Sequence, residues 1–231
     1  MNAGLQPAYV LHSRRYNESS LIVEFFTRDF GRIATLAKGV LNSKRTQQSL
    51  LQPFIPLIIA YRGRGELPIL TTLEPADVVE MPHGKVLYCG MYINELLMRM
   101  TARQDPHDVL FNAYTQCMLS LLKSDGSNRE IEPVLRNFEV RLLNELGFSL
   151  QLKEDQLGNE INPQLEYQYD VLAGPVLSTQ SPSSICGDSL LALATGCFET
   201  HQQRDEARLL MRQAIRHHLG GQSLKSRELF I

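Results

Sequence analysis

Cationic side chains are the residues of this chain best suited to chemistry. Arg14, Arg15, Arg28, Arg32, Lys38, Lys44, Arg45, Arg62 and Arg64 fall in the first 65 residues beside only three acids, Glu18, Glu24 and Asp29. Groups so concentrated suit a phosphate backbone: each phosphate they neutralise releases counterions, so affinity falls steeply with salt. A solvated surface loop accounts equally for the stretch Lys38 to Arg45, and the sequence leaves both readings open. Tyr16, Phe30 and Tyr61 lie among these cations and suit either stacking on bases or core packing.

A second basic series, Arg204, Arg208, Arg212 and Arg216, recurs at four-residue spacing and forms one ridge of a helix. Like charges so placed oppose the helix, while Asp205 and Glu206 near its start and Arg216, His217 and His218 at its end suit the macrodipole. An exposed face and a site for an anionic partner both fit. Catalytic patterns are absent: there is no HExxH, GxSxG, phosphate-loop or GxGxxG sequence, and the adjacent His217 and His218 cannot both face one metal from a helix. The four cysteines, at 89, 117, 186 and 197, include no CxxC pair. We expect neither catalysis nor a cofactor nor a metal.

The chain has 231 residues, 43% hydrophobic and 21% charged, which excludes disordered, collagen-like and coiled-coil classes. No apolar run is long enough to span a membrane, and residues 1–7 lack a secretory pattern, so a cytoplasmic protein is expected. The net charge of -2 conceals an asymmetry. Residues 1–65 carry +6 and residues 201–231 carry +3, while the middle carries -11. Screening over a Debye length of about 8 Å makes local charge decisive, so an acidic total does not exclude a polyanion.

These cations need elements to position them. Residues 6–80 read as short strands: Ala8–His12, Leu21–Thr27, Ile33–Ala37, Phe54–Arg62 and Ile69–Val79. Asp29-Phe30-Gly31 supplies a hairpin turn in which Gly31 takes a positive φ, and Lys38 to Gln48 reads as a polar loop. Strands this short and closely spaced suit a small barrel. From Met81 the hydrophobic period becomes helical. Helices are expected over 84–102, then from a restart at Asp105-Pro106 to before Ser124, and over 130–146 with Gly147 as C-terminal cap. Residues 148–186 are irregular, with Tyr167, Tyr169 and Val171 alternating as one arm of a short hairpin. Helices return over 188–198 and 204–219, stopped by Gly220-Gly221, before a final turn over 224–230. The fold class is α+β, with a barrel domain over 1–80 and a helical domain over 81–231.

Several stretches, in order along nearly the whole chain, carry a resemblance. They include Ala8-Tyr9-Val10-Leu11-His12-Ser13-Arg14, Glu18-Ser19-Ser20-Leu21, Ala37-Lys38-Gly39, Leu51-Gln52-Pro53-Phe54, Gly63-Arg64-Gly65-Glu66, Tyr92-Ile93-Asn94-Glu95-Leu96-Leu97, Arg136-Asn137-Phe138-Glu139 and Gly220-Gly221-Gln222-Ser223-Leu224-Lys225-Ser226-Arg227-Glu228-Leu229-Phe230. The chain resembles the RecO family of bacterial recombination mediators. The resemblance implies a five-stranded N-terminal OB-fold barrel followed by an all-helical C-terminal domain. It further implies binding of single- and double-stranded DNA, and annealing of complementary strands coated by single-stranded-DNA-binding protein (SSB). Cooperation with RecR, and in some bacteria RecF, in loading the RecA recombinase is implied too, in a cytoplasmic, nucleoid-associated setting.

On that resemblance the barrel cations named above are expected to touch phosphates, together with Lys225 and Arg227 of the tail motif. Docking the acidic, phenylalanine-ended SSB tail needs an apolar pocket rimmed by cations, and Arg136 with Phe138 and Leu142 is the expected site. One departure is plain: many family members carry a four-cysteine zinc module after the third helix, whereas Gly147 to Ser184 contains no cysteine. The chain resembles the zinc-free branch. A protein adaptor whose basic faces hold acidic partners, with incidental DNA contact, is the alternative.

Overall fold

The computed structural model describes residues 4–43, 45–63, 65, 67–78, 80–178 and 184–230, with the backbone only at 45, 46 and 230. Its chain divides into two compact units, one of Met1–Met118 with Lys225–Ile231 and one of Leu119–Leu224.

The first unit is built on five strands, β1 (Gln6–Arg15), β2 (Leu21–Thr27), β3 (Gly31–Ala37), β4 (Pro56–Arg62) and β5 (Ile69–Pro75), which close in the order β1-β2-β3-β5-β4. All pairings are antiparallel except β3 with β5, the arrangement of an OB-fold. Closure is strongly staggered. A row running Arg14, Ile22, Leu36, Ile69, Arg62 around the sheet ends on β4 beyond Gln6, which is paired with Ile59. Val10, Val23, Phe25, Ile33, Leu57 and Ile59 fill the interior.

The outer side of β2 and β3 is covered as well. In Leu21–Thr27 the residues after Leu21 are all buried, because α2 (Gly84–Met100) and the first turns of α3 (Asp108–Lys123) lie against the barrel. Tyr9 and Phe26 meet Phe111 and Tyr114 there, with ring centroids 4.9 to 6.0 Å apart. Each such pair adds about 0.5–1.5 kcal/mol to the area it buries. Asn94 joins helix to barrel: its Nδ2 donates to the Leu11 carbonyl at 3.1 Å, and its Oδ1 accepts from the Tyr114 hydroxyl at 2.8 Å. Burial pushes the Tyr114 phenol well up, which keeps it a donor.

Gly31 does turn the β2–β3 hairpin with φ +62°. The structure adds a second requirement: a Cβ there would stand 1.8 Å from the Asp105 carbonyl oxygen. The second helix starts later than the Asp105-Pro106 signal suggests. The Asp105 carboxylate turns to His107 at 3.3 Å instead of capping, and α3 starts at Asp108 with its first bond from Phe111 N to the His107 carbonyl. The expected polar loop after β3 contains a 3-10 turn, Val40–Asn42, and a short α1, Arg45–Leu50.

In the second unit α4 spans Asn128–Glu145 and ends as expected at Gly147, φ +80°, with Phe148 N donating to the Leu143 carbonyl at 2.8 Å. The irregular segment is not without a sheet. β6 (Glu166–Asp170) pairs with β7 (Gly174–Leu177) and β8 (Ile185–Cys186), and Tyr167 and Tyr169 turn inward. A loop over 155–159 is held by the Asp155 carboxylate, whose Oδ1 accepts from Leu157 N and Asn159 N, both at 2.9 Å. Helices α5 (Gly187–Thr195) and α6 (His201–His218) follow, α6 opened by a Thr200–Gln203 capping box.

The chain then returns to the first unit. Leu224 is buried, and Glu95 of α2 accepts from Lys225 N at 3.0 Å and Ser226 N at 2.8 Å, holding the 3-10 helix Lys225–Phe230.

Candidate nucleic-acid interface

The β1–β2 turn carries Arg14, Arg15 and Tyr16, all exposed. Asn17 shapes it, its Oδ1 accepting from Ser19 N at 3.0 Å and Ser20 N at 2.8 Å, while Tyr16 N donates to the Ser20 carbonyl. Ser20 reaches across as well: its Oγ accepts from Gly39 N at 3.1 Å, and Leu41 N donates to the Ser19 carbonyl at 2.9 Å. These bonds stitch the turn after β3 to the β1–β2 turn and bring Lys38 to the end of the barrel that holds Arg14 and Arg15. The register agrees, since Arg15 is opposite Leu21 and Leu21 opposite Ala37. Lys38 also lines a cleft of about 190 Å³ with the polar side chains of Ser43, Gln47, Thr71 and Thr72.

Arg62 ends β4, where the chain enters the β4–β5 loop, and is exposed. Arg28 lies at the β2–β3 hairpin, exposed, its guanidinium carbon 5.5 Å from the Phe111 ring centroid. Lys225 is exposed and Arg227 half-buried on the C-terminal 3-10 helix. Among the described residues, no carboxylate lies within 4.0 Å of the charged nitrogens of Arg14, Arg15, Arg28, Lys38, Arg62, Lys225 or Arg227. Lys44 and Arg64 fall outside the described residues, as does the side chain of Arg45.

Arg32 departs from the expectation of a phosphate contact. Its side chain is only 12% exposed, donates to the Thr101 carbonyl at 2.9 Å and faces Glu24 at 3.8 Å. Burial draws its guanidinium below the usual arginine value, with Glu24 acting in the opposite sense. Arg103 binds the other oxygen of Glu24. The trio fastens the barrel to the segment after α2 and leaves little of Arg32 exposed.

Arg136, Phe138 and Leu142 are likewise interior. They are 5%, 2% and 0% exposed, and Arg136 donates to the buried carboxylate of Glu139 at 2.6 Å. A docking peptide would not reach Phe138 or Leu142, which belong to the core of the second unit. The arginine ridge of α6 is also engaged in part: Arg204 and Arg208 approach Glu132 of α4 at 3.9 and 3.6 Å, and Arg208 binds Asp205 at 2.7 Å.

Sequence reasoning missed Asn94 and Glu95. Their signal was present, as two polar residues amid the apolar run Tyr92 to Leu97, where a polar side chain needs a specific partner. Of the stacking candidates, Tyr16 is 57% exposed, Phe30 partly buried, and Tyr61 at the edge of the barrel core, the last two 6.2 Å apart in a T-shape. Among the described residues no group of three or more His, Cys, Asp and Glu is placed to hold a metal, and no helix is long and apolar enough to cross a membrane.

Two family models match. Residues 1–79 fit the model described as Recombination protein O N terminal, and residues 82–228 that described as Recombination protein O C terminal. The chain is 43% identical over 227 residues to a DNA repair protein RecO of Methylococcus capsulatus, covering 98% of this chain and 92% of that protein. It is 42% identical over 228 residues to that of Dechloromonas aromatica, covering 97% and 94%. For the one from Pseudomonas putida the figures are 41% over 227 residues, with 97% and 96% covered.

Proposed function

The chain belongs to the RecO family of DNA repair proteins, and on that premise we propose that it binds DNA through the cationic rim of its barrel and acts there without covalent chemistry. The observation that carries this reading is the stitching of Arg14, Arg15 and Lys38 into one patch with no carboxylate within 4.0 Å among the described residues. Arg28 and Arg62, at the other end of the strands, where Thr27 pairs with Ala8 and Ile59 with Gln6, and Lys225 and Arg227 of the tail are further cations that this reading assigns to phosphates. In this reading a single strand tracks the patch by its phosphates. A second strand approaches because the protein has lowered the repulsion between the two backbones. Annealing of complementary strands follows from that screening, with no nucleotide consumed and no bond broken. Association with the nucleoid follows from the same charge.

Recombination mediation, with displacement of SSB, cooperation with RecR or RecF and loading of RecA, is the wider role this binding serves. The acidic SSB tail, in this view, meets a cationic surface other than the buried Arg136–Glu139 pair.

Affinity for a labelled single-stranded oligonucleotide at rising salt tests the reading. Log affinity is expected to fall linearly with log salt, and Arg14→Glu with Arg15→Glu to flatten the slope by about 1.4, or roughly 0.7 for each phosphate left unneutralised. Unchanged affinity and slope in the double variant would favour the adaptor reading, in which the basic face holds acidic proteins.

A further inference from the structure

A cleft of about 730 Å³ opens between the β2–β3 hairpin, the β4–β5 loop and the segment after α2, all within the first unit. Phe30, Ile33 and Tyr61 give it an aromatic and aliphatic floor; Asp29, Arg103 and Gln104 stand around its mouth. That volume lies within the usual range for a small-molecule site and exceeds what one amino-acid side chain needs. The phosphate-tracking patch does not use it. We propose that this cleft receives one unstacked nucleobase of a single strand. The inference rests on the DNA-binding reading and deepens it.

Three features select a base over other occupants. An aromatic floor presents a π surface, which suits a flat ring of any sequence. The polar groups at the mouth are an amide, a carboxylate and a guanidinium, which together offer donors and acceptors to the edges and amino groups of bases. Arg28 and Arg62 directly precede the cleft residues Asp29 and Gly63 in the chain, are exposed, and have no carboxylate within 4.0 Å among the described residues. They are placed to hold the phosphates flanking an inserted nucleotide. Gly63 and Gly65 contribute only backbone to the loop side of the cleft, and Gln104 is held in the left-handed region at φ +59° with its N–H on the Arg32 carbonyl at 2.9 Å. That backbone conformation is thus fixed beside the cleft. A duplex keeps its bases stacked and paired, so such a cleft favours single strands.

Two oligonucleotides of equal length and phosphate number test this, one of thymidines and one carrying abasic sites at its centre, titrated against the full chain. The thymidine strand is expected to bind about tenfold more tightly, and Phe30→Leu, which keeps an apolar floor but removes the ring, to bring the ratio near one with the salt slope unchanged. Equal affinities for both strands in the unaltered protein, with a steep salt slope, would overturn the cleft and leave phosphate binding intact. Binding of neither strand would remove both. Photocrosslinking of the unaltered protein to a strand bearing 5-iodouracil needs no variant: crosslinks at Phe30 or Tyr61 support the proposal, and crosslinks confined elsewhere refute it.

Discussion

Two arginine clusters with the same look in the sequence end in opposite states. On the barrel, Arg14 and Arg15 extend from the end of β1 with no carboxylate within 4.0 Å among the described residues. In the second unit, Arg204 and Arg208 fold back on Glu132, and Arg136 is sealed in with Glu139. Density of positive charge does not separate the cases. What separates them is whether a carboxylate stands on the same face, brought by α4 in the case of Arg204 and Arg208 and by the same helix in the case of Arg136. An unpaired surface arginine costs little to hold and remains open to a polyanion. A buried pair has exchanged its hydration for its partner and has become part of the framework.

The sharpest way to break this contrast is Glu139→Leu. It removes the buried carboxylate that accepts from Arg136 at 2.6 Å and is expected to destabilise by about 3–5 kcal/mol, read from urea unfolding. A loss under about 1 kcal/mol would mean that the pair is not structural.

Glu95 offers a paired case in the first unit. Burial opposes its ionisation, but the bonds from Ser226 and Lys225 and the charge of Arg99 outweigh this, and its carboxyl lies below the ordinary value of 4.5. A depressed carboxylate contributes stability that is complete above the unfolded value and lost as pH falls through the folded one. Acidification below that ordinary value should therefore loosen residues 225–230, seen as faster amide exchange there. Glu95→Gln should show that loosening already at neutral pH and no further change on acidification attributable to this site.

The smallest effect is expected where the cations are free. Arg14→Ala and Arg15→Ala should each change stability by less than about 0.5 kcal/mol in the same urea assay. A loss comparable with that of Glu139→Leu would erase the distinction between the two clusters.

Much of the framework could be read from local pattern. The β2–β3 hairpin with Gly31, the helical periods and the Gly147 cap each depend on residues a few positions apart. What could not be read is contact across long separations. In Leu21–Thr27, Glu24 sits in an alternating pattern that suits a solvent-facing position, yet it is buried because Arg103, 79 residues away, meets it. Arg32 passes for one more surface cation until Thr101 closes over it. The same limit governs the site. The stitching of Ser20 to Gly39 gives a reason for the Glu18-Ser19-Ser20 and Lys38-Gly39 stretches, but only once the two turns are seen side by side.

The return of the chain to Glu95 carries a consequence for biogenesis. Glu95 of α2 is synthesised 130 residues before Lys225, from whose N–H it accepts. The first unit therefore cannot reach its final form on the ribosome until the second has been translated, and until then its partly covered helix is exposed to chaperones and proteases.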